Sequence, residues 1–239
     1  MALKLIIGNK NYSSWSLRPW IAMNVAGITF EETVISLDAA DFKAKVTPYS
    51  GTGKVPVLID GDVHVWESLA ILEYLAEKFP DKGLWPADAA ARAHARAIAN
   101  EMHSGFLPLR RLLPMNMWRP VMKRELTPEA AINVRRIEAM WTDCRARFGQ
   151  KSVSAGPFLF GRFGAADAMY TPMVARLHTY AIDVGAGTRT YMDAVMVLPA
   201  WREWHAAGIK EPWVLAEDEV DWPTVLKARR LTKAARSNW

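Results

Sequence analysis

Apolar residues recur along this chain with two different periods, and the change between them falls near residue 80. Before it, short apolar runs alternate with amphipathic stretches. Leu3 to Ile7 predicts a buried strand, Leu17 to Val25 a helix, Glu31 to Leu37 a second strand and Ala39 to Val46 a short helix. Pro56 to Ile59 and Val63 to Trp66 predict two strands joined at the hairpin turn Asp60-Gly61-Asp62. Ser68 to Phe79 then sets Leu69, Leu72, Leu75 and Ala76 on one helical face. The predicted order is βαβαββα, a small mixed sheet with helices on both faces.

Pro80, Gly83 and Pro86 interrupt this pattern, and strand signals stop beyond them. Ala87 to about Leu113 has helical spacing. Thr127-Pro128-Glu129 combines a cap residue, a first-turn proline and a first-turn acid, and predicts a helix running to about Phe148 and stopping at Gly149. Gly156-Pro157 opens a loop, Ala165 to Tyr180 reads as a helix containing Pro172, and Pro199 starts a later one. The expected organisation is an α/β domain over 1–80, a linker over 81–88 and an all-helical domain over 89–239.

Composition narrows the class. Of 239 residues, 51% are hydrophobic and 23% charged, the balance of a folded globular chain rather than a disordered one. No apolar run approaches the roughly 18 residues needed to span a bilayer, and the start of the chain turns polar too soon for a secretory leader. The single cysteine, Cys144, excludes an internal disulfide and a cysteine-rich metal site, and neither His64 nor His94 has ligand-like company. These features favour the cytoplasm. Much of the net charge of +5 sits in the tail, at Lys227, Arg229, Arg230, Lys233 and Arg236, which weakens the case for nucleic acid; a solvated terminus is the favoured reading, contact with an acidic partner or a membrane surface the alternative, and no nucleic-acid or membrane partner is expected. Most of the eleven tryptophans are expected in helix contacts, with a minority lining a ligand cleft.

Chemistry enters at Lys54-Val55-Pro56 and Glu67-Ser68. A proline inside an apolar run cannot donate to a sheet ladder, so it marks an edge, a bulge or a cis turn where backbone groups stay free. Glu67-Ser68 falls where a helix begins, with unpaired N–H groups able to hold a carboxylate. Free strand-like backbone beside an anion-binding helix start suits a small peptide such as glutathione.

With these residues in order, the chain resembles the cytosolic glutathione transferase superfamily over nearly its whole length. Ser13-Ser14-Trp15-Ser16-Leu17-Arg18 is similar to the Ser-Ser-Cys-Ser-Trp-Arg segment of zeta-class enzymes, Val55-Pro56 to the cis-proline turn, and Glu67-Ser68 to the acidic-serine pair. Gly161 to Asp167 resembles the loop and helix start of the second domain. Two departures stand out. Trp15 replaces the zeta cysteine, which removes thiol-disulfide exchange at that site, and Gly164 replaces the usual Ser or Thr of the helical-domain cap.

The resemblance implies a thioredoxin-like N-terminal domain, an all-α C-terminal domain, a homodimer, and glutathione as co-substrate. Ser13, with Ser14 in support, would stabilise the thiolate; counting back from Arg18 favours Ser14 instead, and both also suit helix caps. Val55 would pair with the cysteinyl backbone, Lys54 with the glycine carboxylate, Glu67 with the γ-glutamyl ammonium and Ser68 with its carboxylate. On the electrophile side, His103 and Arg111 would bind an acidic substrate, with Met115 and Trp118 as an adaptable wall. Transferase, glutathione-dependent isomerase, peroxidase and a non-catalytic binding module all remain open at this stage.

Overall fold

The computed structural model describes residues 2–149 and 155–220. The basic tail, with Lys227, Arg229, Arg230, Lys233 and Arg236, lies outside them.

The first part has the predicted order: β1 (Leu3–Ile7), α1 (Ser14–Val25), β2 (Phe30–Val34), α2 (Phe42–Val46), β3 (Val57–Asp60), β4 (Val63–Trp66) and α3 (Ser68–Lys78). The strands form one sheet in the order β2-β1-β3-β4. β1 is parallel to β2, with Ile7 opposite Val34, and antiparallel to β3, with Ile6 opposite Val57. Because side chains alternate across a strand, Leu3, Leu5 and Ile7 join the main core while Ile6 joins a smaller cluster with Ile35, Val46 and Val57 under α2.

Local differences from expectation have physical causes. β2 stops at Val34 because the Asn9 side chain captures the Leu37 N–H at 2.7 Å, turning the chain out of the sheet. β3 is an internal strand, so Pro56 marks no sheet edge; it stands just before β3, and the Val55–Pro56 peptide is cis.

The second part is helical: α4 (Ala89–Ser104), α5 (Leu107–Leu112), α6 (Pro128–Cys144), α7 (Ala165–Thr179), α8 (Ala186–Met196) and α9 (Pro199–Gly208). The expected helix through Leu113 is two helices. Pro108 cannot continue α4, and Phe106 turns the chain through a left-handed conformation (φ 60°). Thr127 caps α6 by accepting from the Ala130 N–H, and α6 ends in one π-helical turn, Arg145–Gly149. α8 has no counterpart in the sequence reading; it buries Thr188, Tyr191, Met192 and Val195 on one face, behind a start interrupted by Gly185 and Gly187.

α7 is buried almost along its whole length and packs against α1 and α4, so one continuous core runs from Leu3 to Trp204. Its N-terminus accounts for Gly164. A Cβ there would lie 2.8 Å from the Leu84 carbonyl, which accepts the Ala165 N–H at 2.8 Å. The linker backbone leaves no room for serine, and capping falls to Asp167, whose carboxylate accepts from the N–H groups of Gly164 (2.9 Å) and Leu159 (3.0 Å).

Candidate active site

Ser13 is the N-cap of α1 and Ser14 its first residue; both are buried to the same extent. Ser13 Oγ lies 2.8 Å from Ser16 Oγ and accepts weakly from the Ser16 N–H, while Ser16 Oγ accepts from the Gly8 N–H at 3.1 Å. Ser14 Oγ has no hydrogen-bond partner among the described residues. The two hydroxyls therefore differ: one belongs to a small network, the other stands alone at a positive helix end.

A cavity of about 120 Å³ is lined by Trp15, Thr52, Lys54, Val55, Pro56 and Glu67. Among the described residues, neither the N–H nor the C=O of Val55 enters a backbone hydrogen bond. Glu67 is held at φ 72°, a left-handed conformation that costs a non-glycine residue on the order of 1–3 kcal/mol and marks functional sites.

Ser68 does not line this cavity. Its side chain is wholly buried, its Oγ accepting from Arg18 Nη1 at 3.4 Å, so only the first-turn backbone of α3 is left to meet an anion. Arg18 is itself buried, and it stacks on Trp15 with Cζ 4.0 Å from the ring centre. Arg110 approaches the same ring at 4.6 Å and His103 meets it edge-on at 5.2 Å.

A second cavity of about 420 Å³ opens alongside and shares Trp15, Lys54 and Val55 with the first. Ser13 and Ser14 line it, and so do Arg111 and Met115. Two expected residues do not. His103 stands beside Glu67 (3.9 Å), where burial and the charges of Arg18 and Arg110 press its pKa down, against the pull of Glu67. Trp118 is drawn away because its backbone N–H donates to Asn11 and its indole N–H to Glu219. Sequence reasoning missed Tyr12, Arg176, Leu215, Glu217 and Asp218 in the wall, and it treated Trp15 only as a departure from a motif. Arg176 reaches the cavity from α7, held by the carbonyls of Leu113 and Pro172; burial lowers its pKa to about 10, so it stays charged at neutral pH.

Cys144 lies on α6, fully buried, its thiol pushed up to about 12 by burial. A thiol so protonated is not a nucleophile. Among the described residues no three His, Cys, Asp or Glu side chains gather as a metal site, and no helix is long and apolar enough to cross a membrane. A larger cavity of about 530 Å³ opens at the linker, near Trp85 and Phe160, and holds none of the expected site residues.

Comparison with known proteins agrees with this geometry. Residues 12–78 match the model of the glutathione S-transferase N-terminal domain and residues 119–207 that of the C-terminal domain. A probable maleylacetoacetate isomerase of Caenorhabditis elegans is 42% identical over 101 residues, 42% of this chain and 47% of that protein. A zeta-class glutathione S-transferase of Euphorbia esula is 35% identical over 105 residues, 44% of this chain and 47% of its own length. The chain thus spans about half the length of the curated relatives it matches. Among solved structures, a glutathione transferase homolog from Burkholderia with bound glutathione superposes with a TM-score of 0.63 at 21% identity, covering 88% of this chain and all of that one. A glutathione S-transferase from the Antarctic clam Laternula elliptica gives 0.68 at 20% identity, covering 92% and 99%. With both domain models matched in order, and with the sheet, the cis-proline turn and the helical half in place, the chain belongs to the glutathione S-transferase superfamily.

Proposed function

We propose that the chain is a glutathione transferase that binds glutathione in the smaller cavity and presents its sulfur to an electrophile in the larger one. The observation that carries this reading is the adjacency of the two cavities, which share Trp15, Lys54 and Val55, with Ser13 and Ser14 lining the larger one. Val55 offers backbone groups to the cysteinyl unit as a one-residue strand addition. Lys54 faces the glycine carboxylate, Glu67 the γ-glutamyl ammonium, and the first turn of α3 the γ-glutamyl carboxylate.

Free glutathione has a thiol pKa near that of cysteine, about 8.5, so little thiolate exists at neutral pH. Lowering it by about two units takes about 2.7 kcal/mol of preference for the anion. One charge-assisted hydrogen bond contributes about 1.5–3 kcal/mol and a helix N-terminus about 0.3–1 kcal/mol. Ser13 suits the donor role. When its proton turns toward sulfur, the Ser16 hydroxyl 2.8 Å away can donate to Ser13 Oγ in turn, polarising it. Ser14 supports the anion from the helix end.

The test is the ultraviolet absorbance of bound thiolate at neutral pH. It should be present in the wild type, retained in Ser14→Ala and lost in Ser13→Ala. Loss in Ser14→Ala alone reverses the two roles; retention in the double variant overturns activation by these hydroxyls.

Isomerisation of an unsaturated acid through reversible glutathione addition is the second reading. The likeness to a probable maleylacetoacetate isomerase and the arginines of the larger cavity favour it. We further place the protein in the cytoplasm as a homodimer, in keeping with the exposed Val63 and Trp66 of the edge strand β4.

A further inference from the structure

The segment after α9 folds back over the serine-bearing loop as a strap. Both carboxylate oxygens of Glu211 accept backbone N–H groups, from Lys10 at 2.7 Å and Asn11 at 2.9 Å. Further along, Glu219 accepts from the Tyr12 hydroxyl and from the Trp118 indole N–H, and Arg119 Nη1 donates to the Val220 carbonyl at 2.8 Å. Tied at both ends, the strap carries a single 3₁₀ turn, Ala216–Asp218, that lines the larger cavity together with Ser13 and Ser14. Asp218 is half-buried there, and its carboxyl group has no hydrogen-bond partner among the described residues.

We infer that Asp218 is the general acid that completes thiolate addition to activated alkenes. The inference rests on the glutathione reading above and extends it to the second substrate, an α,β-unsaturated carbonyl compound. In the step, the sulfur electron pair forms the S–C bond at the β carbon, and the C=C π pair shifts to give an enolate. The Asp218 O–H bond breaks and its proton goes to the α carbon. The carboxylate regains a proton from solvent at the open side of the cavity. Nothing is oxidised, and nothing leaves.

Arg176 from α7 and Glu217 and Glu219 from the strap act on Asp218 directly, and four further titratable groups line the same cavity: Arg110 and Arg111 from α5, Lys54 from the segment before β3, and the neutral Tyr12 from the loop before α1. Burial and Glu217 raise its pKa, Arg176 opposes them, and Glu219 adds to the rise, leaving it at about 6. That is poised for proton transfer near neutrality.

Two electrophiles separate this role from mere support of the fold. Displacement of halide from a halodinitrobenzene needs no proton, because the leaving halide carries away the electron pair. Addition to an enone does need one. Asp218→Asn should lower kcat for enone addition on the order of 10²-fold and leave aryl-halide turnover within about twofold, while Asp218→Glu recovers part of the loss. In the wild type, the ratio of addition to substitution should fall as pH rises through about 6, and it should be flat in Asp218→Asn; the thiolate's own titration cancels in the ratio. Equal loss of both reactions, or loss of neither, overturns the inference. A wild type inert toward both electrophiles and without thiolate absorbance overturns the glutathione reading, and this inference with it.

Discussion

Arg18 and Ser68 meet behind the first turn of α3, the guanidinium Nη1 donating to the serine Oγ at 3.4 Å. Nε and Nη2 of this buried arginine have no hydrogen-bond partner among the described residues. Burial, and then Arg110 and Arg176, disfavour its charge, with Glu67 among the offsetting groups. A cation so placed adds to the positive helix end and favours an anion arriving there. Burying a charge without an ion-pair partner carries a desolvation cost of several kcal/mol, which an apolar side chain of similar size removes. Arg18→Met should therefore hold or raise the urea midpoint while weakening glutathione binding about tenfold, about 1.4 kcal/mol, in calorimetry. A lower midpoint with unchanged affinity would make Arg18 purely structural.

Trp15 separates the two cavities and is the second residue of α1, where a cysteine thiolate would be stabilised by the helix end. Trp15→Cys should gain what the wild type lacks. Incubated with glutathione disulfide, it should take up one glutathione per chain, read by mass spectrometry, while buried Cys144 stays unmodified. Failure to form that mixed disulfide would show that position 15 does not face the sulfur.

Much of this was legible in the sequence, for identifiable reasons. β1 and β4 match their predicted bounds because apolar runs bounded by turn residues leave little freedom. Ser13, Ser14, Lys54, Val55, Pro56 and Glu67 come together because each belongs to a local motif whose spacing survives folding. Arg176, Glu217 and Asp218 were not legible. They reach the cavity from α7 and from a strap fixed by pairs such as Glu211 with Lys10, which are far apart in the chain and have no periodic signature. His103 and Trp118 were misplaced for the complementary reason. Their helical and loop positions suited the cavity wall, but contacts with Trp15 and Glu219 set their orientation.

Gly164 and Asp167 offer a prediction against intuition. Serine is ordinarily a better helix cap than glycine, by a few tenths of a kcal/mol. Here its Cβ would press on the Leu84 carbonyl at 2.8 Å, backbone that cannot swing aside like a flexible side chain. Gly164→Ser should therefore destabilise the protein. Asp167→Ala should do so more strongly, by about 2–5 kcal/mol, because it strands the N–H groups of Leu159 and Gly164. Urea unfolding measures both, and a Gly164→Ser protein at least as stable as the wild type would rule out the steric account.

The charge lining the larger cavity sets which electrophiles it accepts. Arg110, Arg111 and Arg176 line it against Glu217 and Asp218, and Arg176 keeps its proton at neutral pH with its pKa at about 10. An electrophile bearing a carboxylate should bind there better than its neutral ester. Arg111 is the residue to remove, since it is exposed and surface substitutions usually change stability by less than about 0.5 kcal/mol. Arg111→Ala should raise KM for the acid by up to about fivefold, the effect of a partly solvated ion pair worth about 1 kcal/mol, with kcat and the ester kinetics unchanged. Added salt should narrow the wild-type preference in the same direction, because it shortens the Debye length from about 8 Å at physiological ionic strength toward about 3 Å at 1 M and so screens these solvent-accessible charges. If acid and ester respond alike to the substitution, these arginines hold the cavity wall together and do not select the substrate.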